Sequence, residues 1–278
     1  MKLYKTSKGI YLQDNQSVYQ LNYGWDELVN RDGLHDFLKK ALQIAIKVTG
    51  SDWQSHLLPP IESQEVWAAG VTYLQSRDAR VEESQSSGGS DLYKRVYDAE
   101  RPEIFFKATA SRVVGNDQDI SIRKDSTWNV PEPELTVFAN SNGDIQGYTI
   151  GNDMSSRSIE GENALYLPQA KTYDKSAAIG PCLTVLPEPI SKETVISIVI
   201  KRNNEAVYSD STPLSRMKRE LTELVGFLFR ELTFPNGVFL MTGTCLVPPN
   251  DFTLIPGDVV EIAIDGIGTL TNTVAHNK

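Results

Sequence analysis

The sequence predicts an α+β protein in which strands predominate. Three observations carry that reading. From residue 103 onward, short runs rich in branched and aromatic residues follow one another: EIFFKA, LTVFAN, IQGYTIGN, CLTVL, TVISIVIKR, GVFLMTG and DVVEIAI. Each has the length and composition of a strand. Apolar residues recur at helical spacing in just two stretches, near 35–49 and 213–231. Finally, no GxGxxG follows a strand, and the glycine run SSGGS lacks phosphate-loop spacing, so a nucleotide-binding doubly wound sheet is not signalled.

Taken in order, the chain begins with a small unit. KLYKTSKGIYLQ and SVYQLN read as paired strands, and HDFLKKALQIAIKVT as a helix with an inner stripe of Leu38, Ala41, Leu42, Ile44, Ala45 and Val48. Pro59-Pro60 marks a boundary. A small N-terminal α/β domain over 1–60 and a main domain over 61–278 are therefore expected. Residues 78–92, DARVEESQSSGGSDL, break the pattern with Ser, Gly and clustered charge. They read as a long loop and, inside a compact domain, as a candidate active-site lid. The Phe105-Phe106 pair is expected in the core. Near the C-terminus, Pro213 would open a helix whose inner face is Leu221, Leu224, Val225 and Leu228.

Composition narrows the function. The 278 residues are 40% hydrophobic and 23% charged, enough to build a sizeable core. A net charge of −9 argues against nucleic acid as the main partner, because phosphate binding needs a positive face. There is no apolar run of membrane-spanning length. The first residues, MKLYKTSKGIYLQDNQ, lack the apolar stretch of a secretory signal, so a cytoplasmic location is expected. Cys182 and Cys245 read as reduced, buried strand thiols. No zinc spacing is present, and His35, His56 and His276 are scattered.

Chemistry concentrates in VPEPELTVFANSNGDIQGYTIGND, residues 130–153. Asn142-Gly143 between two apolar runs is a strong hairpin signal. A two-residue turn there sets Ser141 opposite Asp144, Glu132 opposite Asp153 and Glu134 opposite Gly151. Side chains two apart on a strand share a face, and opposed Cβ atoms lie about 5 Å apart. Glu132, Glu134 and Asp153 should thus converge. Three carboxylates so close need a compensating cation, and Mg²⁺, Mn²⁺ or Ca²⁺ suits an all-oxygen site. Pro131 and Pro133 lack N–H groups and fit only at an edge or beside a cleft.

At these residues the chain resembles the fumarylacetoacetate hydrolase family. The matching segments span roughly 65–275: EVWAAGVTY, PEIFFKATASRVVG, PEPELTVF, GYTIGNDMSSRSIE, YLPQAKTYDKSAAIGP, MTGTCLVPP and LIPGDVVEIAIDGIGTLTNTV. The resemblance implies a β-rich mixed roll or sandwich with a small N-terminal domain, assembled as a homodimer or homotetramer. It also implies that Glu132, Glu134 and Asp153 bind Mg²⁺ (or Mn²⁺ or Ca²⁺). Family hydrolases carry G-x-N-Y-x-x-His near the start of the main domain, the His activating water. Here the segment runs from Gly70 to Ser76, with Ser76 in the His place.

The stretches VYDAERPEIFFKAT and ENALYLPQAKTY resemble the branch that dehydrates 2-dehydro-3-deoxy sugar acids. That resemblance implies Glu103 as general base, with Lys171 as its acid partner or substrate-orienting group. Thr244 in the TGT segment, and Tyr73 and Arg77 near the loop, are expected by position as substrate contacts beside Lys171. The expected activity is dehydration of a small 2-oxo acid. The alternatives are hydrolysis or decarboxylation of an acylpyruvate, or a non-catalytic metal-binding role.

Overall fold

The computed structural model describes residues 1–76, 81 and 90–277. The N-terminal unit supplies strands β1 (Lys2–Thr6), β2 (Gly9–Asp14), β3 (Ser17–Leu21) and β4 (Ile46–Val48). There follow β5 (Glu65–Gly70), β6 (Glu103–Thr109), β7 (Val113–Val114), β8 (Gln118–Ile122), β9 (Asn129–Val130), β10 (Pro133–Ala139), β11 (Ile145–Asp153) and β12 (Ser155–Ser156). The last are β13 (Ala177–Thr184), β14 (Val195–Arg202), β15 (Glu205–Pro213), β16 (Val238–Met241), β17 (Val259–Ile264) and β18 (Gly268–His276). Among the described residues they form an 11-stranded mixed sheet, ordered β4-β3-β2-β1-β13-β11-β10-β16-β5-β6 with β7 beside β13. A 5-stranded sheet, β15-β14-β17-β18-β8, and a short β9–β12 ladder complete the set. The expected β-rich α+β class is what the chain adopts. No helix among the described residues is long and apolar enough to cross a membrane.

The central strands are buried on both faces. Leu135, Val137, Ile150 and Leu240 pack with Ile196, Ile198, Val260 and Ile262 of the smaller sheet. On the other face, Phe138, Phe239 and Met241 join Leu12, Trp25, Leu28, Leu34 and Leu38 of the N-terminal unit. Burial on both sides explains why β10 reads as one apolar run rather than an alternation. β1 pairs with β13, Leu3 opposite Leu183, so the large sheet continues without a break from the N-terminal unit.

Two helices are shorter than their periodicity suggests. The first covers Leu34–Ala41, and the chain then turns into β4, which pairs Val48 with Val18 and Ile46 with Gln20. Ile44 and Ile46 point to solvent instead of the core. The branched residues of IAIKV suit an edge strand as well as a helix, and pairing with β3 decides between them. The second helix covers Leu221–Leu228, with Leu224, Val225 and Leu228 buried as expected. Pro213 does not open it. That residue ends β15, opposite Val195.

The β10–β11 hairpin corrects the expected turn while keeping the expected register. The tip is a three-residue loop, Ser141-Asn142-Gly143. Asn140 N donates to Asp144 O at 3.0 Å, Gly143 N donates to Asn140 O at 2.9 Å, and Gly143 has φ 84°. This is a turn followed by a left-handed glycine, the common three-residue solution. Ala139 then faces Ile145 but Phe138 faces Gly147, so Gln146 is bulged out. The longer tip and the bulge cancel. Glu134 lies opposite Gly151 as expected, and Asp153 N donates to Glu132 O at 3.0 Å.

Candidate active site

The site opens where the sheet comes apart. β10 pairs with β16 only as far as Thr136 opposite Met241, after which Thr242 N still reaches Leu135 O at 3.1 Å. The chain then turns away at Gly243, which has φ 95° and packs against Thr72 too closely for a side chain. Pro131 and Pro133 cannot donate to a neighbour, so the beginning of β10 borders a crevice, as their sequence position suggests. Ala69, Gly70, Val71, Ser76, Phe105, Gly243 and Thr244 form its walls, and Glu132, Glu134, Asp153, Arg157 and Lys171 also line it.

Glu132, Glu134 and Asp153 each bring one carboxylate oxygen within 4.8 Å of the others, and all three are buried. Ligand distances of about 2.0–2.6 Å to one hard cation produce oxygen spacings of this size. Gly243 N donates to Glu134 Oε2 at 2.6 Å, a contact its left-handed turn permits. Burial, and then the charges of Asp153 and Glu132, hold the Glu134 carboxyl well above the usual carboxylate range, against the opposing pull of Lys171.

Three buried cations surround the trio. Lys171, at the end of the short helix Leu167–Lys171, donates to Glu132 Oε2 at 2.7 Å, Asp153 Oδ2 at 3.0 Å and Ser155 Oγ at 2.5 Å. Arg157 donates from Nη2 to Glu132 Oε1 at 2.7 Å, and its Nη1 lies 3.7 Å from Glu160. Lys107 on β6 meets Asp153 Oδ1 at 2.5 Å. Sequence reading overlooked Lys107, Arg157 and Glu160. A lysine inside the apolar run EIFFKATA was the available signal, since lysine is rarely fully buried without a partner.

The other expected site residues divide. Thr244 is buried and lines the crevice. Glu103 begins β6 opposite Gly70, and its carboxylate lies against the Gly70 Cα. A Cβ at position 70 would fall 2.7 Å from Glu103 Cδ. Glu103 therefore packs on a residue of the crevice wall and is not itself among the residues that line the crevice. Tyr73 is sealed in the core at 1% exposure, with its hydroxyl in the field of Cys245 and Glu134. Phe105, expected in the core, is half-buried on the crevice wall, 5.7 Å from Lys171 Nζ to its ring centre. Arg77 lies outside the described residues, as does most of the 78–92 segment. Ser76 is buried, donating from Oγ to Tyr73 O at 2.8 Å.

The roll of two packed sheets and the buried acidic trio define a class. The description "Fumarylacetoacetate (FAA) hydrolase C-terminal" matches residues 65–275, and the chain belongs to the fumarylacetoacetate hydrolase family. Within it, the chain is similar to particular sugar-acid enzymes. A probable 2-keto-3-deoxyxylonate dehydratase of Haloferax volcanii is 52% identical over 221 residues, covering 79% of this chain and 75% of the relative. The 2-dehydro-3-deoxy-D-arabinonate dehydratase of Saccharolobus solfataricus is 38% identical, covering 100% of this chain and 97% of that one. The solved structure of a 2-keto-3-deoxy-D-arabinonate dehydratase complexed with magnesium and 2,5-dioxopentanoate matches with a TM-score of 0.86, at 34% identity over 100% of both chains.

Proposed function

We propose that this protein is a divalent-cation-dependent dehydratase of a 2-dehydro-3-deoxy sugar acid, of the type of 2-dehydro-3-deoxy-D-arabinonate, yielding 2,5-dioxopentanoate and water. One observation carries the reading: the acidic trio and Lys171 meet in a single crevice, one wall of which is Gly70, on which Glu103 packs. The dehydratase relatives support it. Glu132, Glu134 and Asp153 would hold Mg²⁺ (or Mn²⁺ or Ca²⁺), which would supply Lewis acidity toward the ketone of a 2-oxo acid and so acidify its C3 protons. Glu103 takes a C3 proton as general base. Lys171 gives a proton to the 4-hydroxyl as the C4–O bond breaks, so that water leaves and a C3=C4 bond forms. Isomerisation of that enone toward C5 gives the dioxo acid. Thr244 and Arg77 are proposed substrate contacts, whereas Tyr73, expected with them, is sealed in the core at 1% exposure.

The charge count suits an anion. Four buried carboxylates (Glu132, Glu134, Asp153 and Glu160) face three buried cations (Lys107, Arg157 and Lys171). A divalent ion turns that small negative excess into a positive one, and a 2-oxo acid carries one negative charge. Hydrolysis is the weaker reading, because position 76 offers a serine hydroxyl already committed to the Tyr73 carbonyl, where the family hydrolases place the water-activating His. The deciding assay incubates the protein and Mg²⁺ with 2-dehydro-3-deoxy-pentonate and, separately, an acylpyruvate. A dioxo acid formed from the first supports the proposal. Turnover of the acylpyruvate alone, to pyruvate and a carboxylic acid or to CO₂, overturns it. Homodimeric or homotetrameric assembly and a cytoplasmic location belong to the same proposal, the first resting on family resemblance and the second on two free buried thiols.

Two further results are expected. Because the Glu134 carboxyl is raised, the metal-free fold favours its neutral form, whereas a cation requires the carboxylate. Mg²⁺ affinity should therefore climb with pH, with protons released on binding. Calorimetry in two buffers of different ionisation heat reads that release, and equal heats would count against it. The same sign makes the metal-free protein lose the stability Glu134 contributes as pH rises through the raised value. Separately, Gly70→Ala should push Glu103 aside and lower kcat by about tenfold or more, since misplacement of about 1 Å can cost about a hundredfold. Mn²⁺ affinity should stay unchanged, and a fully active Gly70→Ala protein would argue against the placement of Glu103.

A further inference from the structure

Two cations of the cluster, Arg157 and Lys107, have no task in the reaction just described, and Lys107 has the more unusual placement. Lys107 is fully buried on β6. It sits at the irregularity in the β5–β6 pairing: Val66 faces Ala108 and Trp67 faces Phe106, so Lys107 is the extra, bulged residue. Bulges of this kind re-aim a side chain. The ammonium meets Asp153 Oδ1 at 2.5 Å, Met154 O at 2.9 Å and Lys171 O at 2.5 Å. Met154 O and Lys171 O accept two of its hydrogen bonds, and Asp153 Oδ1 is its ion-pair partner. Burying an ammonium is costly unless it is paired and hydrogen-bonded, so these contacts hold it firmly in place.

We propose that Lys107 is a positioning residue that locks Asp153 and Lys171 to one another. The carboxylate torsion of Asp is soft. With Oδ1 paired to Lys107, Oδ2 is the oxygen that accepts from Lys171 Nζ, at 3.0 Å. The two carbonyl contacts tie the backbone just after Asp153 to the end of the helix that carries Lys171. A cation ligand and the proposed acid thus share one anchor. The inference rests on the metal-dependent reading above. It makes a prediction opposite to simple electrostatics, because removing a positive charge beside a cation site should otherwise tighten cation binding.

The test titrates Mn²⁺ by electron paramagnetic resonance, with circular dichroism alongside, into the wild type, Lys107→Met, Asp153→Asn and the double variant. Lys107→Met is expected to bind Mn²⁺ at least tenfold more weakly than wild type. In the Asp153→Asn background the same change should shift affinity by less than threefold, since the carboxylate it orients is gone. Unchanged or tighter binding by folded Lys107→Met overturns the proposal. If Lys107→Met alone does not fold, the double variant, which removes both buried charges together, decides. Affinity equal to Asp153→Asn supports the lock, whereas a further tenfold loss, or failure of the double variant to fold, marks Lys107 as packing and overturns it. A wild type that binds no Mn²⁺ overturns the metal site and the lock together. A wild type that binds, with Lys107→Met unaffected, overturns the lock alone.

Discussion

Glu132→Ala is expected to abolish cation binding and to weaken the fold in the same stroke. The two oxygens of Glu132 each hold a buried cation, Lys171 at 2.7 Å and Arg157 at 2.7 Å. Removing one partner of a buried ion pair costs about 3–5 kcal/mol, because the remaining charge stays in a poor medium. The loss should therefore appear in denaturant unfolding of the metal-free protein as well as in Mn²⁺ titration. Turnover should fall below detection. Glu132→Gln keeps the shape and one acceptor oxygen, so it should recover part of the stability and only a weak, residual metal affinity. An alanine variant that still binds Mn²⁺ like wild type would remove Glu132 from the ligand set.

The second large effect separates chemistry from binding. Glu103→Gln should lower kcat by about 10²–10⁴-fold, the usual worth of a general base, while Mn²⁺ affinity remains at the wild-type value. Gln occupies nearly the same volume, so the contact with Gly70 survives. Solvent deuterium provides a second readout: wild type should exchange the C3 protons of the substrate, and Glu103→Gln should not. Normal turnover in this variant would move the base elsewhere and leave the metal site intact. Glu132 and Glu103 thus probe different halves of the same proposal.

What could be read from the sequence divides along a physical line. Glu132, Glu134 and Asp153 were legible because they lie on one hairpin, where strand alternation and a turn signal determine which side chains meet. The two helices are shorter than their apolar periodicity suggests, because periodicity cannot tell a helix end from an edge strand. Ile44 and Ile46 sit on the exposed side of that decision. Lys107, Arg157 and Glu160 were not legible. A charge inside an apolar segment indicates a partner without naming it, and here the partners of Lys107 lie on β11, just beyond it, and at the end of a distant helix. Glu103 and Lys171 came from family resemblance, since nothing local in RPEIF or PQAKT distinguishes a catalytic group from a surface charge.

The paired irregularities of the β10–β11 hairpin carry a consequence for how this segment can evolve. Its tip and its bulge each add a residue on opposite sides of a ledger that must balance, because a shift of one position would turn every following side chain to the other face. Lengthening or trimming the loop alone would turn Asp153 away from Glu132, although both lie about 30 Å from the tip along the strands. Insertions and deletions there should be inherited as matched couples, one at the tip with one beside Gln146, or not at all.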